Sequence, residues 1–136
     1  MISPAFRWAQ SLQDIFIEVK WATRFDSPAC LETYDHQHRL LDSKTLLVEA
    51  MCKNDIKVLH YRLEVQLSDS VIEDSAKFEV QSVGRLAITL KKVQAAKWEQ
   101  LNQGVKPGNM VVWWDLVEKY EKELESAGES QEGTAS

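Results

Sequence analysis

The chain has 136 residues, 44% of them apolar, and a formal net charge of −5. That length favours one domain with a real hydrophobic core. The acidic balance excludes a dedicated nucleic-acid binder, whose phosphate contacts need a positive footprint.

The N-terminus, "MISPAFRWAQ", lacks a charged n-region and an apolar h-region, so no signal peptide is expected. "FRWAQ" is a short strand candidate. In "DIFIEVKW" Ile15, Ile17, Val19 and Trp21 fall on one face, with Glu18 and Lys20 on the other. "ACLETYD" (29–35) is a further short candidate. "TLLVEAMC" (45–52) and "KVLHYRLEVQL" alternate with period two; in the latter Leu59, Tyr61, Leu63, Val65 and Leu67 share a face. "AKFEVQSV" (76–83) and "RLAITLKK" (85–92) read the same way. "SLQD", "RFDSP", "LLDS", "KNDI", "SDSVIEDS" and the "VG" at 83–84 read as turns between them.

Seven short strands with no helix interposed predict an all-β fold, a seven-stranded antiparallel β-sandwich. Parallel α/β folds are disfavoured because their crossovers need helices. After Val93 the pattern changes. "AAKWEQL" suits one helical turn, and "NQGVKPGN" is a connector rich in breakers. Trp113, Leu116 or Val117, Tyr120 and Leu124 then recur at helical spacing, with Asn109 as a candidate cap. Val111 and Val112 leave an extended entry open. The expected organisation is a sandwich over 1–103, a connector and C-terminal helix over 104–125, and a disordered acidic tail over 126–136. From Glu118 onward six glutamates stand against two lysines, a net −4, so the body is close to neutral. Such a tail has too little apolar content to offset the cost of ordering it.

Chemistry-bearing patterns are sparse. Cys30 and Cys52 have no short spacing between them, which predicts free thiols in a reducing compartment and hence a cytoplasmic protein. In "YDHQHR", Asp35, His36 and His38 lie close together, but a metal site needs three or four converging ligands. The third strong ligand would be His60 on another strand, so a polar strand edge is expected and no metal. Asp69, Glu73 and Asp74 lack EF-hand spacing and a central glycine. No P-loop, dinucleotide fingerprint or nucleophile elbow is present, so neither an enzyme nor a cofactor is expected. No run approaches the roughly 18 apolar residues of a membrane helix.

Three stretches carry a likeness to a known family: "FRWAQSLQDIFIEVKW", "GRLAITLKKVQAAKWEQL" and the aromatic, acidic segment after the connector. The chain resembles a CS domain, an HSP20-like sandwich. The family includes the small acidic co-chaperone of the ninety-kilodalton heat-shock chaperone, the NudC nuclear-migration proteins and the N-terminal domain of a very-long-chain hydroxyacyl-CoA dehydratase. The family's early Trp–x–Gln corresponds to Trp8, Ala9 and Gln10. Its basic pair and following Trp–x–x–Leu correspond to Lys91, Lys92, Trp98 and Leu101.

The resemblance implies a protein-interaction module that binds the ATP-bound, closed state of that chaperone. The alternative it implies is a NudC-like client-binding or scaffold domain independent of the chaperone. Carried over from the co-chaperones, Asp115 matches the Asp of their short C-terminal segment and Leu116 takes its aromatic position. Tyr120 stands near its terminal Trp, with Trp113 and Trp114 just upstream. Arg85, Lys91, Lys92 and Lys106 would form the basic edge. Trp113 is expected to pack the helix onto the sandwich and Trp114 to dock on a partner.

Overall fold

The computed structural model describes residues 1–81 and 84–135, with side chains to Ser126. Eight strands and one helix follow one another: β1 (Ala5–Gln10), β2 (Asp14–Lys20), β3 (Thr33–Asp42), β4 (Thr45–Asn54), β5 (Lys57–Gln66), β6 (Val71–Gln81), β7 (Arg85–Lys92), β8 (Met110–Val112) and α1 (Trp114–Ala135). They build a five-stranded sheet in the order β6-β7-β2-β1-β8 and a three-stranded sheet in the order β3-β4-β5. Between the sheets lies a core containing Phe6, Ile15, Ile17, Val19, Leu46, Val48, Leu63, Val65, Leu86, Ile88 and Leu90. These are the inward halves of the alternating stretches, as period-two patterning requires.

The sandwich has eight strands where seven were expected, and one of its pairings is parallel. β-branched Val111 and Val112 do not enter the helix. They pair in parallel with β1 in the register Phe6↔Met110, Arg7↔Val111, Trp8↔Val112, completing an edge that β1 would otherwise leave open. Asn109 is not the helix cap. Its side-chain amide donates to Ser3 Oγ and to the Pro4 carbonyl, both at 2.7 Å, and so ties the connector to the N-terminus.

Two strands lie elsewhere than anticipated. β3 begins at Thr33, past most of "ACLETYD", and carries "YDHQHR" within it. Its pairing with β4 shifts register between Tyr34 and Gln37, where Asp35 takes a φ of 51°. A bulge of this kind suits Asp, which tolerates left-handed backbone. β6 begins at Val71, so the acidic "VIEDS" belongs to a strand whose exposed edge charged residues protect. The backbone of α1 is helical through Ala135, across most of the stretch read as a disordered tail; Ser136 lies outside the described residues. Helical hydrogen bonds are local and do not require the apolar content that the tail lacks.

The cysteines are the clearest correction. Cys30 and Cys52 are disulfide-bonded, with Cα atoms 6.2 Å apart. Thr33 pairs with Cys52 across β3 and β4, which brings the preceding loop and Cys30 alongside β4. No sequence spacing announced that meeting. The loop also packs on Gly84, where an added Cβ would stand 2.5 Å from the Cys30 carbonyl oxygen and φ is +67°. Only glycine suits both the contact and the backbone angle.

Candidate interaction surface

Three of the residues behind the family likeness, Gln10, Lys92 and Trp98, converge on one internal junction. Gln10, at the end of β1, uses both ends of its amide: Nε2 donates to the Trp98 carbonyl at 2.7 Å, and Oε1 accepts from the Trp98 N–H at 2.8 Å. The same Oε1 accepts from Lys92 Nζ at 2.8 Å, and Lys92 donates further to the carbonyls of Ser11 and Ala96. Lys92 is only 3% exposed, because alternation along β7 sets it on the inward row of Leu86, Ile88 and Leu90. It therefore does not belong to a basic edge, contrary to expectation. Burial pushes its pKa down to about 8, against the raising influence of Asp14 and Glu123. Trp98 and Leu101 are likewise buried.

Lys91, the outward partner of Lys92, is exposed, as is Lys106 in the connector. Arg85 is half-buried and donates to Glu18 Oε1 at 2.8 Å. Glu18 itself is buried, and Arg7 approaches the same Oε1 at 3.0 Å. Cross-strand register explains the meeting, since Glu18 sits opposite both Arg7 and Ala87 while Lys20 sits opposite Arg85. Phe25, from the loop after β2, lies over these cations. Its ring centre is 4.8 Å from the Arg7 guanidinium, 5.3 Å from that of Arg85 and 5.6 Å from Lys20 Nζ. The Trp113 ring centre also lies 4.3 Å from the Arg7 guanidinium. Such contacts favour desolvated cations over aromatic faces.

Arg7, Glu18, Lys20 and Phe25 were not singled out as functional residues from the sequence. The available signal was a charged outward row on β2. A central strand covered on both faces must pair such charges, and Glu18 and Lys20 are both buried.

Trp113 immediately precedes the helix, its carbonyl accepting from the Val117 N–H at 3.0 Å while its own N–H donates to the Trp8 carbonyl at 3.0 Å. Trp114 follows at 65% exposure and Asp115 is exposed beside it, in the first helical turn where an acid complements the helix dipole. Leu116 is half-buried. Tyr120 stacks on Phe16 of β2 with ring centres 5.3 Å apart, and Glu123 accepts from the Leu12 N–H at 3.2 Å. A groove of about 220 Å³ runs between α1 and β1, with Trp8, Val112, Val117 and Leu124 on its walls. The structure thus gathers Arg85, Trp113 and Tyr120 around the outer face of the five-stranded sheet, places Trp114 and Asp115 at the free side of the helix start, and withdraws Lys92.

The histidines do not converge. His36 Nε2 lies 2.8 Å from Thr33 Oγ1, the His38 ring packs on Phe78 with centres 4.8 Å apart, and His60 stands 3.6 Å from a Glu49 oxygen. Burial first, and then neighbouring His36, hold the His38 pKa below the usual histidine range. Among the described residues no helix is long and apolar enough to cross a membrane.

No known family pattern and no curated protein sequence matches the chain. Solved structures do. Heat shock protein 16.0 from Schizosaccharomyces pombe superposes with a TM-score of 0.54 at 14% identity, over 78% of this chain and 100% of that one. The CS domain of the human KIAA1068 protein gives a TM-score of 0.51 at 14% identity, over 79% of each chain. A nuclear movement protein from E. cuniculi gives 0.45 at 17% identity, over 72% of this chain and 98% of that one. The first two superpositions identify the fold as the sandwich of HSP20 and CS domains.

Proposed function

We propose that this HSP20/CS-like sandwich is a protein-interaction module that acts as a co-chaperone-like partner of the ninety-kilodalton heat-shock chaperone, binding its ATP-bound closed state. The observation that carries the reading is Trp114. It is a tryptophan left 65% exposed at the start of α1, while Trp21 and Trp98 are buried. An exposed aromatic of that size adds little to folding and has the composition of an interface hot spot. Asp115 stands beside it, and the proposed contact residues further include Lys91 and Arg85 of β7, Trp113 just before the helix, Leu116 and Tyr120 along it, and Lys106 in the connector. No covalent step is needed. A module that prefers one chaperone conformer shifts its population by the difference in affinity.

The test is an NMR titration of the labelled chain with the chaperone, with and without a non-hydrolysable ATP analogue. Nucleotide-dependent broadening at Trp114 and Asp115 supports the proposal. In binding kinetics Trp114→Ala should raise the dissociation rate about tenfold or more, and Lys91→Glu should slow association chiefly at low salt. Unchanged kinetics in both variants would remove this surface from consideration. No chaperone binding, combined with suppression of a model client's aggregation, would favour the NudC-like client-binding role. The Cys30–Cys52 bond removes the ground for expecting a reducing cytosol. The titration is accordingly run with the bond intact and reduced.

A further inference from the structure

We infer that Arg7, Lys20 and Arg85, walled by Phe25 and Trp113, form an oxyanion site that takes an acidic or phosphorylated side chain of a partner protein. The inference rests on the reading of this sheet face as a protein contact, and it adds the chemistry of what is held there.

Charge is the first ground. Three cations from three adjacent strands face outward on β1, β2 and β7, and one buried carboxylate, Glu18, lies among them. Both arginines reach the same oxygen of that carboxylate, Arg7 at 3.0 Å and Arg85 at 2.8 Å. Lys20 Nζ meets the Phe25 carbonyl at 2.7 Å and, among the described residues, has no carboxylate at ion-pair distance. Two positive charges are therefore left unbalanced in a partly dehydrated setting, where repulsion is weakly screened. A bound anion relieves it.

Geometry is the second ground. The Arg7 guanidinium is packed against two aromatic rings, with ring centres 4.8 Å away at Phe25 and 4.3 Å away at Trp113, and these contacts restrict its orientation. Arg7 Nε is buried with no acceptor. A guanidinium restrained in this way suits the forked recognition of a carboxylate or phosphate, which a lysine cannot reproduce. Arg7 and Arg85 keep 24% and 35% of their side chains exposed, which leaves both partly open to solvent. Lys20 lies deeper and contributes field rather than contact.

The experiment follows the side-chain Nε–Hε signals of Arg7 and Arg85 by NMR. The full chain is titrated with inorganic phosphate, with a glutamate-rich peptide and with that peptide carrying one phosphoserine. Sodium chloride at matched ionic strength is the control. The expected result is a shift of both signals with the peptides, at least tenfold tighter than with free phosphate, and a tenfold or greater loss of peptide affinity in Arg85→Gln. That variant leaves the Arg7–Glu18 pair in place, and Lys20→Gln provides a second change with an expected loss of threefold or more. Three outcomes would overturn the inference: no movement at either arginine, an equal response to chloride, or peptide affinity unchanged in both variants. Free phosphate binding as tightly as the peptides would also overturn it, by assigning the site to a free ion. Peptide binding without chaperone binding would sustain the site and sink the chaperone partner, so the two readings fail separately.

Discussion

At the scale of single residues, Gln10 shows how a side chain can hold a fold together without touching the core's apolar contacts. Its amide closes the backbone of Trp98 on both sides and holds the Lys92 ammonium. The family-like residues at this junction are therefore structural, and the ones free to meet a partner lie beside them. Lys92 has a measurable consequence. Its folded pKa of about 8 lies below the 10.5 of an unfolded lysine, so between those values the unfolded chain holds a proton that the folded chain has released. Stability from this group therefore rises as pH rises from 8 to 10.5 and is lost as pH falls through 8. Lys92→Met should cost about 2 kcal/mol at pH 7 by stranding its acceptors, and the deficit should grow by about 2 kcal/mol by pH 10. Urea unfolding of both proteins at pH 7, 8.5 and 10 measures this. A pH-independent deficit would mean that water reaches the ammonium.

At the scale of elements, the segment between β2 and β3 is held at several points. Cys30 is bonded to Cys52 of β4, its N–H donates to the Trp21 carbonyl at 2.8 Å, and Gly84 lies against its backbone. Between those anchors Phe25 covers the cations of the sheet. The bond links residues 22 apart, and a loop of that size restricts the unfolded chain by about 3 kcal/mol. Cys52→Ser should lower unfolding stability by about that amount under oxidising conditions and leave it unchanged, relative to wild type, in excess dithiol. An equal difference in both conditions would place the effect in core packing, since Cys52 is also buried.

At the scale of the whole molecule, the two sheets share one core, whereas α1 rests on the outside through a few contacts, among them Tyr120 on Phe16 and Glu123 on the Leu12 N–H. Elements with few buried contacts open at lower free energy than the core. Tyr120→Ala should therefore speed amide exchange along α1 by about tenfold, as the loss of an aromatic contact of about 1–1.5 kcal/mol implies. Exchange in β2, β4 and β7 should stay as in the wild type. Faster exchange in those strands as well would mean that the helix is part of the cooperative unit.

The sandwich class, the span of β7, most of β2, β4 and β5, and the inward faces were legible in the sequence, because burial on one face of a pleated strand imposes period two regardless of partners. The helix was legible from its stripe. What only the tertiary structure decided is what depends on residues far apart in the chain: the Cys30–Cys52 bond, the parallel β8, the withdrawal of Lys92 into the Gln10 junction, and the meeting of Arg7, Lys20 and Arg85 under Phe25 and Trp113. Alternation says which face a residue takes, but pairing between strands sets what that face meets.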